Sequence, residues 1–257
     1  MKTEFNFNRF TRLFFKYTIE HYKGYLMSLA VLIGVLVLGG GFIVYMINVP
    51  IDRGMQSAFF LIIMVLAGTI FTSTVFADLG DKKRAAAWLT LPASHFEKYL
   101  VAWVYSYLVF IIVYTITFFL SVLLLMNLRY FPNSSDTVIN VFDKRILEMY
   151  VVYASLHSMA LYGAIYYEKM NFIKTGFVFF IVIAVLILMN KVIQEGMFGR
   201  AVEASPPFGI LRFSDNNTIT EVYIFQSIRN DYMVFLVSAL ALIFWVATYY
   251  RLKEKQI

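Results

Sequence analysis

Long apolar blocks alternate with short charged segments along this chain. Stretches free of Asp, Glu, Lys and Arg run over Gly24–Val49, Gly54–Ala77, Tyr99–Leu128, Met149–Tyr167, Thr175–Asn190 and Tyr232–Tyr250. A helix crosses a bilayer with about 20 consecutive, mostly apolar residues. The pattern therefore predicts an all-α polytopic membrane protein with six transmembrane helices, at about 25–48, 55–77, 99–128, 147–167, 175–193 and 231–250. The fifth is the shortest block and continues past Lys191, whose side chain can snorkel to the surface. The third, at 30 residues, makes a helix of about 45 Å. That exceeds a hydrocarbon core of about 30 Å, so it tilts or protrudes.

Before the first span the pattern changes. Phe7, Phe10, Phe14 and Tyr17 form one helical stripe, and Arg9, Arg12, Lys16, Glu20 and Lys23 form a polar, mostly basic one. Such a segment suits an amphipathic helix lying in the membrane interface over residues 1–24, with Gly24 as a natural bend. The alternative is that it is simply the start of the first span.

Composition agrees with the block pattern. Of 257 residues 60% are hydrophobic and 15% charged, against about 45–50% and about 25% in soluble domains. A soluble globule and a disordered chain are both excluded. With no cysteine there is neither a disulfide framework nor a thiol nucleophile. The net charge of +6 points to loops facing anionic lipid and not to nucleic acid. If both termini are inside, 14 of the 22 basic residues lie inside. The positive-inside rule thus favours an N-in, C-in orientation, with a cytoplasmic tail at 251–257.

The loop at 78–98 carries the strongest local signals outside the spans. Asp78 and Asp81 resemble a capping pair, and Lys82-Lys-Arg-Ala-Ala-Ala-Trp-Leu has high helix propensity. Pro92 stops that helix, and Ser94 with Glu97 reads as a capping box opening the third span. One reading is a basic loop that merely obeys the positive-inside rule. The other is a rigid docking helix with Trp88 and Leu91 as apolar anchors. On the opposite side, residues 191–230 form the longest loop, too long to be structureless in a compact protein. Its Ser205-Pro-Pro-Phe-Gly209 run suggests a turn, and the alternation in Thr218–Phe225 a short strand.

Candidate chemistry is sparse. There is no phosphate-binding glycine loop, nucleophile elbow or zinc motif. Gly39-Gly40-Gly41 lies within the first span and suits close helix approach or a kink. His157 alone among the histidines sits inside a span, with Ser155, Ser158, Ala160 and Gly163 around it. An intramembrane ionisable residue is a functional candidate by default. Its simpler reading is a neutral imidazole that, with Ser158, makes polar contacts across a small-residue helix interface. The spans otherwise lack carboxylates, which argues against a proton-coupled carrier.

Two stretches resemble the ABC-2-type transporter permeases, in the variety common in Bacteroidetes. One is Trp88-Leu-Thr-Leu-Pro-Ala-Ser-His-Phe-Glu-Lys-Tyr-Leu100, similar to the family's Leu-Pro-Ala-Ser-x-x-Glu-Lys-x-Leu. The other is Leu156-His-Ser through Phe172-Ile-Lys-Thr175, which looks like the family's His-Ser, Gly-x-x-Tyr/Phe and Phe-x-Lys-Thr sequence. The chain departs from the family at Glu168-Lys169, where a basic pair is common. The resemblance implies the membrane subunit of an ATP-driven transporter in a bacterial inner membrane. It would pair with a second copy or a related permease, and separate cytoplasmic ATPase subunits would bind below. Asp81, Lys82, Lys83, Arg84, Trp88 and Leu91 would then belong to the coupling helix on which the ATPase docks. It also implies that this chain is not itself an enzyme and needs no cofactor, with ATP held by its partner. The cargo would be large or amphiphilic. The rival is a membrane sensor or scaffold that binds a ligand through the 191–230 loop. An intramembrane enzyme would need more convergent polar residues than His157 and its serines.

Overall fold

In the computed structural model the described residues are 5–47, 52–76, 85, 91–128, 138–167, 169–207, 211–215, 218–222 and 226–255. Helix α1 (Phe7–Gly34) runs through a π-helical turn (Val35–Gly39) into α2 (Gly40–Ile47). Helix α3 (Arg53–Val75) follows. Helix α4 (His95–Trp103) passes through a second π segment (Val104–Val109) into α5 (Phe110–Leu128). Then come α6 (Lys144–Tyr166), α7 (Asn171–Phe198), the strands β1 (Leu211–Asp215) and β2 (Thr218–Val222), and α8 (Gln226–Glu254). Backbone polar groups in a bilayer must be satisfied within the segment, so apolar runs of this length fold as helices.

Five helical stretches among the described residues are long and apolar enough to cross a membrane: Phe7–Met46, Arg53–Val75, His95–Leu128, Asn171–Phe198 and Tyr232–Glu254. The chain is built as a multi-pass membrane protein. Lys144–Tyr166 is a sixth long helix, less apolar than these, with charged residues in its first turns and small polar ones further on.

The helix does not break at Gly24: it is continuous there, and its irregularity comes about three turns later, at Val35–Gly39. A helical glycine costs only about 1 kcal/mol relative to alanine, and the apolar and amphipathic patterns on either side are both helical. Phe7–Met46 spans 40 residues, about 60 Å and twice the hydrocarbon thickness. At the π turn the glycines allow close approach: a Cβ on Gly40 would lie 2.8 Å from Leu125 Cδ1 of α5.

The first and last described residues lie at one end of the bundle, here termed the base. Asn6 and Arg9 meet the start of α4 there, Tyr17 donates to the Val75 carbonyl ending α3, and Lys255 donates to the Ile165 carbonyl ending α6. At the far end the Gln56 side-chain carbonyl accepts from the Ile139 amide just before α6. Two buried clusters fill the bundle. One, around Phe60, Met64, Tyr114, Phe118, Ile146 and Tyr153, lies towards the far end. The other, around Phe76, Tyr99, Leu161, Ile165 and Leu252, lies at the base.

The segment expected as a loop from residue 191 begins helical. Helix α7 runs to Phe198, and Lys191 pairs with Glu195 at 3.7 Å one turn on. Beyond it β1 and β2 form an antiparallel hairpin, with Leu211 opposite Val222. Arg212 bridges Glu221 at 2.9 Å and Glu203 at 3.8 Å, and Phe198 packs edge-on against Phe213.

Candidate functional site

At the base the Glu97 carboxylate accepts hydrogen bonds on both of its oxygens. Ser94 is the N-cap of α4: its Oγ accepts from the Glu97 amide at 3.2 Å, and Glu97 Oε2 accepts from the Ser94 amide at 2.9 Å. This is the capping box legible in the spacing of the two residues. The second carboxylate oxygen serves another helix. Glu97 Oε1 accepts from the Asn6 amide at 2.8 Å, from Arg9 Nη2 at 2.9 Å and from Arg9 Nε at 3.2 Å.

Asn6 in turn caps α1, its side chain accepting from the amides of Asn8 and Arg9. One buried negative charge thus lies between two helix N-termini, where the backbone dipoles favour an anion. The guanidinium offsets the cost of removing it from water. Mechanically, Glu97 locks the start of α1 to the start of α4.

Immediately before this node the chain emerges from the 78–90 segment. Asp78, Asp81, Lys82, Lys83, Arg84 and Trp88 lie outside the described residues, so their expected arrangement as a docking helix is not among the features the structure describes. Two flanking positions are described. Ala85 is buried in the basal cluster with Val75, Phe76 and Tyr99. Leu91 is half-buried and lines a small cavity against α1 (Leu13, Tyr17), Phe76 and Lys98.

A second polar node lies deeper. His157 is fully buried, and its partners come from two other helices. Trp245 Nε1 of α8 donates to His157 Nδ1 at 3.1 Å, and Ser106 Oγ of the second π segment lies 2.9 Å from Nε2. The indole can only donate, so Nδ1 must be unprotonated. A neutral imidazole then carries its proton on Nε2 and donates to Ser106, whose hydroxyl donates to the Ala102 carbonyl at 2.8 Å. This chain from Trp245 to Ala102 satisfies every group in it. It joins three helices and leaves no atom of the imidazole for a ligand or a metal.

Ser158 takes no part in that node: its hydroxyl donates to the Ser155 carbonyl of its own helix at 2.7 Å. A serine hydroxyl within a helix readily back-bonds in this way, which withdraws it from neighbouring helices. Tyr107, beside Ser106, completes the surroundings with its ring centroid 5.0 Å from His157 and 5.3 Å from Trp245.

The stretch from His157 to Thr175 has a geometric role as a unit. Helices α6 and α7 approach so closely that a Cβ on Gly163 would overlap the Thr175 side chain. Met170 turns the chain with φ 56°, and the Asn171 side-chain amide donates to the Ala164 carbonyl at 3.2 Å. His157 fixes α6 within the bundle, Gly163 admits α7, and Met170 with Asn171 closes the hairpin.

Reading the chain alone missed the long-range partners of both nodes. Asn6, directly before the Phe7–Phe10–Phe14 stripe, was a legible N-cap. Nothing local marked Trp245 or Ser106 as partners of His157. Among the described residues no three His, Asp or Glu side chains group closely enough to hold a metal ion. No protein-family model matches the chain, and neither the curated proteins nor the solved structures yield a match.

Proposed function

We propose that this chain is the membrane-spanning permease subunit of an ATP-binding-cassette transporter of the bacterial inner membrane, driven by a separate cytoplasmic ATPase. In this reading the base faces the cytoplasm, in line with the excess of basic residues on that side. The loop at 78–98 receives the ATPase through the helix expected at 81–91, and this chain contributes binding and transmission while the nucleotide chemistry stays on the partner. The observation that carries the reading is the Glu97 node. It follows the candidate docking segment directly in sequence and couples the starts of two span-forming helices through one carboxylate. A displacement of the segment would move α1 and α4 together and, through the helix running from α4 to Ser106, reach the His157 junction. The resemblance in Trp88–Leu100 and Leu156–Thr175 supports the same reading, as does the arrangement of long apolar helices. A second copy or a related permease completes the translocation path.

The test is affinity capture of the tagged chain in mild detergent, followed by mass spectrometry for a co-purifying P-loop ATPase. Wild type is compared with a variant carrying Lys82→Glu, Lys83→Glu, Arg84→Glu and Trp88→Ala. The expected result is an ATPase bound to wild type and lost from the variant. If no ATPase accompanies wild type in a preparation that keeps native complexes intact, the permease reading fails.

A further inference from the structure

A cleft of about 490 Å3 opens between α1, α3 and the α4–α5 helix. This lies within the range of about 300–1,000 Å3 typical of small-molecule sites. Its walls are almost wholly apolar, from Leu29, Leu32 and Val35 on α1 to Ile63 and Ala67 on α3 and Val113 on α5. Tyr25 and Tyr105 stand at its basal end, with ring centroids 5.5 Å apart. On its rim Met27 and Val31 of α1 and Leu66 and Ile70 of α3 are exposed. The mouth therefore opens between those two helices, sideways onto the acyl region of a bilayer and not onto water.

Besides the two tyrosines, one polar side chain lines this space: Ser28, exposed on α1. Hydroxyls within helices readily back-bond to the carbonyl one turn earlier. On these helices Thr18, Thr69, Thr72, Ser106, Thr117 and Ser121 each do so at 2.6–2.8 Å. Of the serines and threonines on α1, α3 and the α4–α5 helix, Ser28 alone makes no hydrogen bond among the described residues.

The depth of Ser28 identifies its acceptor. Lys23 is the last charged residue before the first apolar block, and Ser28 follows it by about 7 Å of helix, the thickness of one interfacial layer. The hydroxyl thus stands where headgroups give way to hydrocarbon, the level of the ester carbonyls of glycerolipids. Those carbonyls accept hydrogen bonds and cannot donate them, which suits a hydroxyl whose proton is uncommitted. From Ser28 on to Val35 the α1 wall is apolar for about 10 Å, within one leaflet of about 15 Å.

We infer that the cleft holds one ester-linked acyl chain of a glycerolipid from the base-side leaflet, with Ser28 donating to the ester carbonyl. Leu29, Leu32 and Ala67 then pack along the chain. The site reads the linkage and the chain, and the headgroup stays outside it. It does not depend on an ATPase partner, so it stands or falls separately from the permease reading.

Native mass spectrometry of the full chain in detergent tests it. The probes are a diacyl phosphatidylcholine, its dialkyl ether counterpart with chains of the same length, and an isoprenoid quinone, added singly and in pairwise competition. The two phospholipids share a headgroup, so charge plays no part in the choice between them. Wild type is expected to retain one diacyl lipid about fivefold in preference to the ether, the worth of one neutral hydrogen bond. Ser28→Ala should remove that preference. Ala67→Phe, which fills the cleft, should lower retention of both phospholipids. Where Ala67→Phe does not give a monodisperse helical protein, Val31→Trp on the exposed rim of the same cleft takes its place. Equal retention of ester and ether by wild type overturns the proposal, as does an ester preference that survives Ser28→Ala. Stronger retention of the quinone overturns it too, and so does retention unaffected by a folded cleft-filling variant.

Discussion

Helices α6 and α7 follow one another in the chain and pack together, yet they use their side chains in opposite ways. Helix α6 has eleven of its 23 residues buried, among them Ser155, His157 and Ser158. Helix α7 is 28 residues long and has none buried, although its sequence is the more continuously apolar. In a soluble protein the more apolar helix would be the one inside. In lipid the solvent is itself apolar, so hydrophobicity marks exposure, while small and polar residues mark contact between helices. Helix α6 is central because it carries the glycine, serines and histidine that reward close packing. Helix α7 is peripheral because almost any apolar side chain satisfies acyl chains.

The contrast can be broken most sharply where the two helices meet. Gly163→Val should destabilise the bundle by about 3 kcal/mol or more, since the added atoms need the space of the Thr175 side chain. An unfolding equilibrium in bicelles measures this, and Thr175→Gly in the same chain should recover part of the loss. A Gly163→Val chain as stable as wild type would mean that the two helices are not in contact at this position.

Next in size is Glu97→Ala, which removes the acceptor for the Asn6 and Ser94 amides and for Arg9. The expected cost is about 2–3 kcal/mol, the scale for bonds to a charged group. It should also raise hydrogen exchange at the first turns of both α1 and α4. Protection lost from α4 alone would show that the carboxylate serves only as a local cap.

His157→Leu keeps most of the volume but leaves Ser106 and Trp245 without their partner. About 1–2 kcal/mol is expected, in keeping with interhelical hydrogen bonds in membranes. The Trp245 fluorescence should change with it, and an unchanged spectrum would count against the bond.

Phe180→Ala on α7 should change stability by less than about 0.5 kcal/mol, as at other exposed positions, because this side chain is 71% exposed. A clearly larger loss, growing with protein concentration, would mean that a second chain and not lipid covers this face.

What the sequence disclosed about this molecule depended on range. The capping box of Ser94 and Glu97 was legible because its partners are three residues apart and the bond geometry follows from the helix itself. Glu97 was not legible as the link to Asn6 and Arg9, since that pairing joins positions about ninety residues apart in the chain. His157 stood out as the only histidine in an apolar run of small residues, but its roles as acceptor from an indole and donor to a serine are products of packing. Helix positions were readable from apolar length, and their ends were less so. The first helix hides its membrane boundary, because its amphipathic first half and apolar second half are equally good helices. Similarly, the expected end of the fifth span at 193 missed the polar last turns of α7, which the Lys191–Glu195 pair helps to support.

The π segment at Val104–Val109 has a consequence for how this chain tolerates change in length. A π turn takes up one residue more than an α-helix would, and absorbs it without passing a change of phase to the helix beyond. Below it Tyr99 donates to the Trp245 carbonyl, and above it Tyr114 donates to the Phe60 carbonyl. Deleting a single residue within the segment would restore a regular helix and leave the two halves close to their present angle, so both tyrosines would keep their partners. Deleting one from the regular helix between Phe110 and Tyr114 would instead rotate one half against the other by about 100°, and Tyr99 and Tyr114 could then no longer both reach theirs. The π turn is a slack link, the one place along this helix where a residue can be lost without turning the shaft.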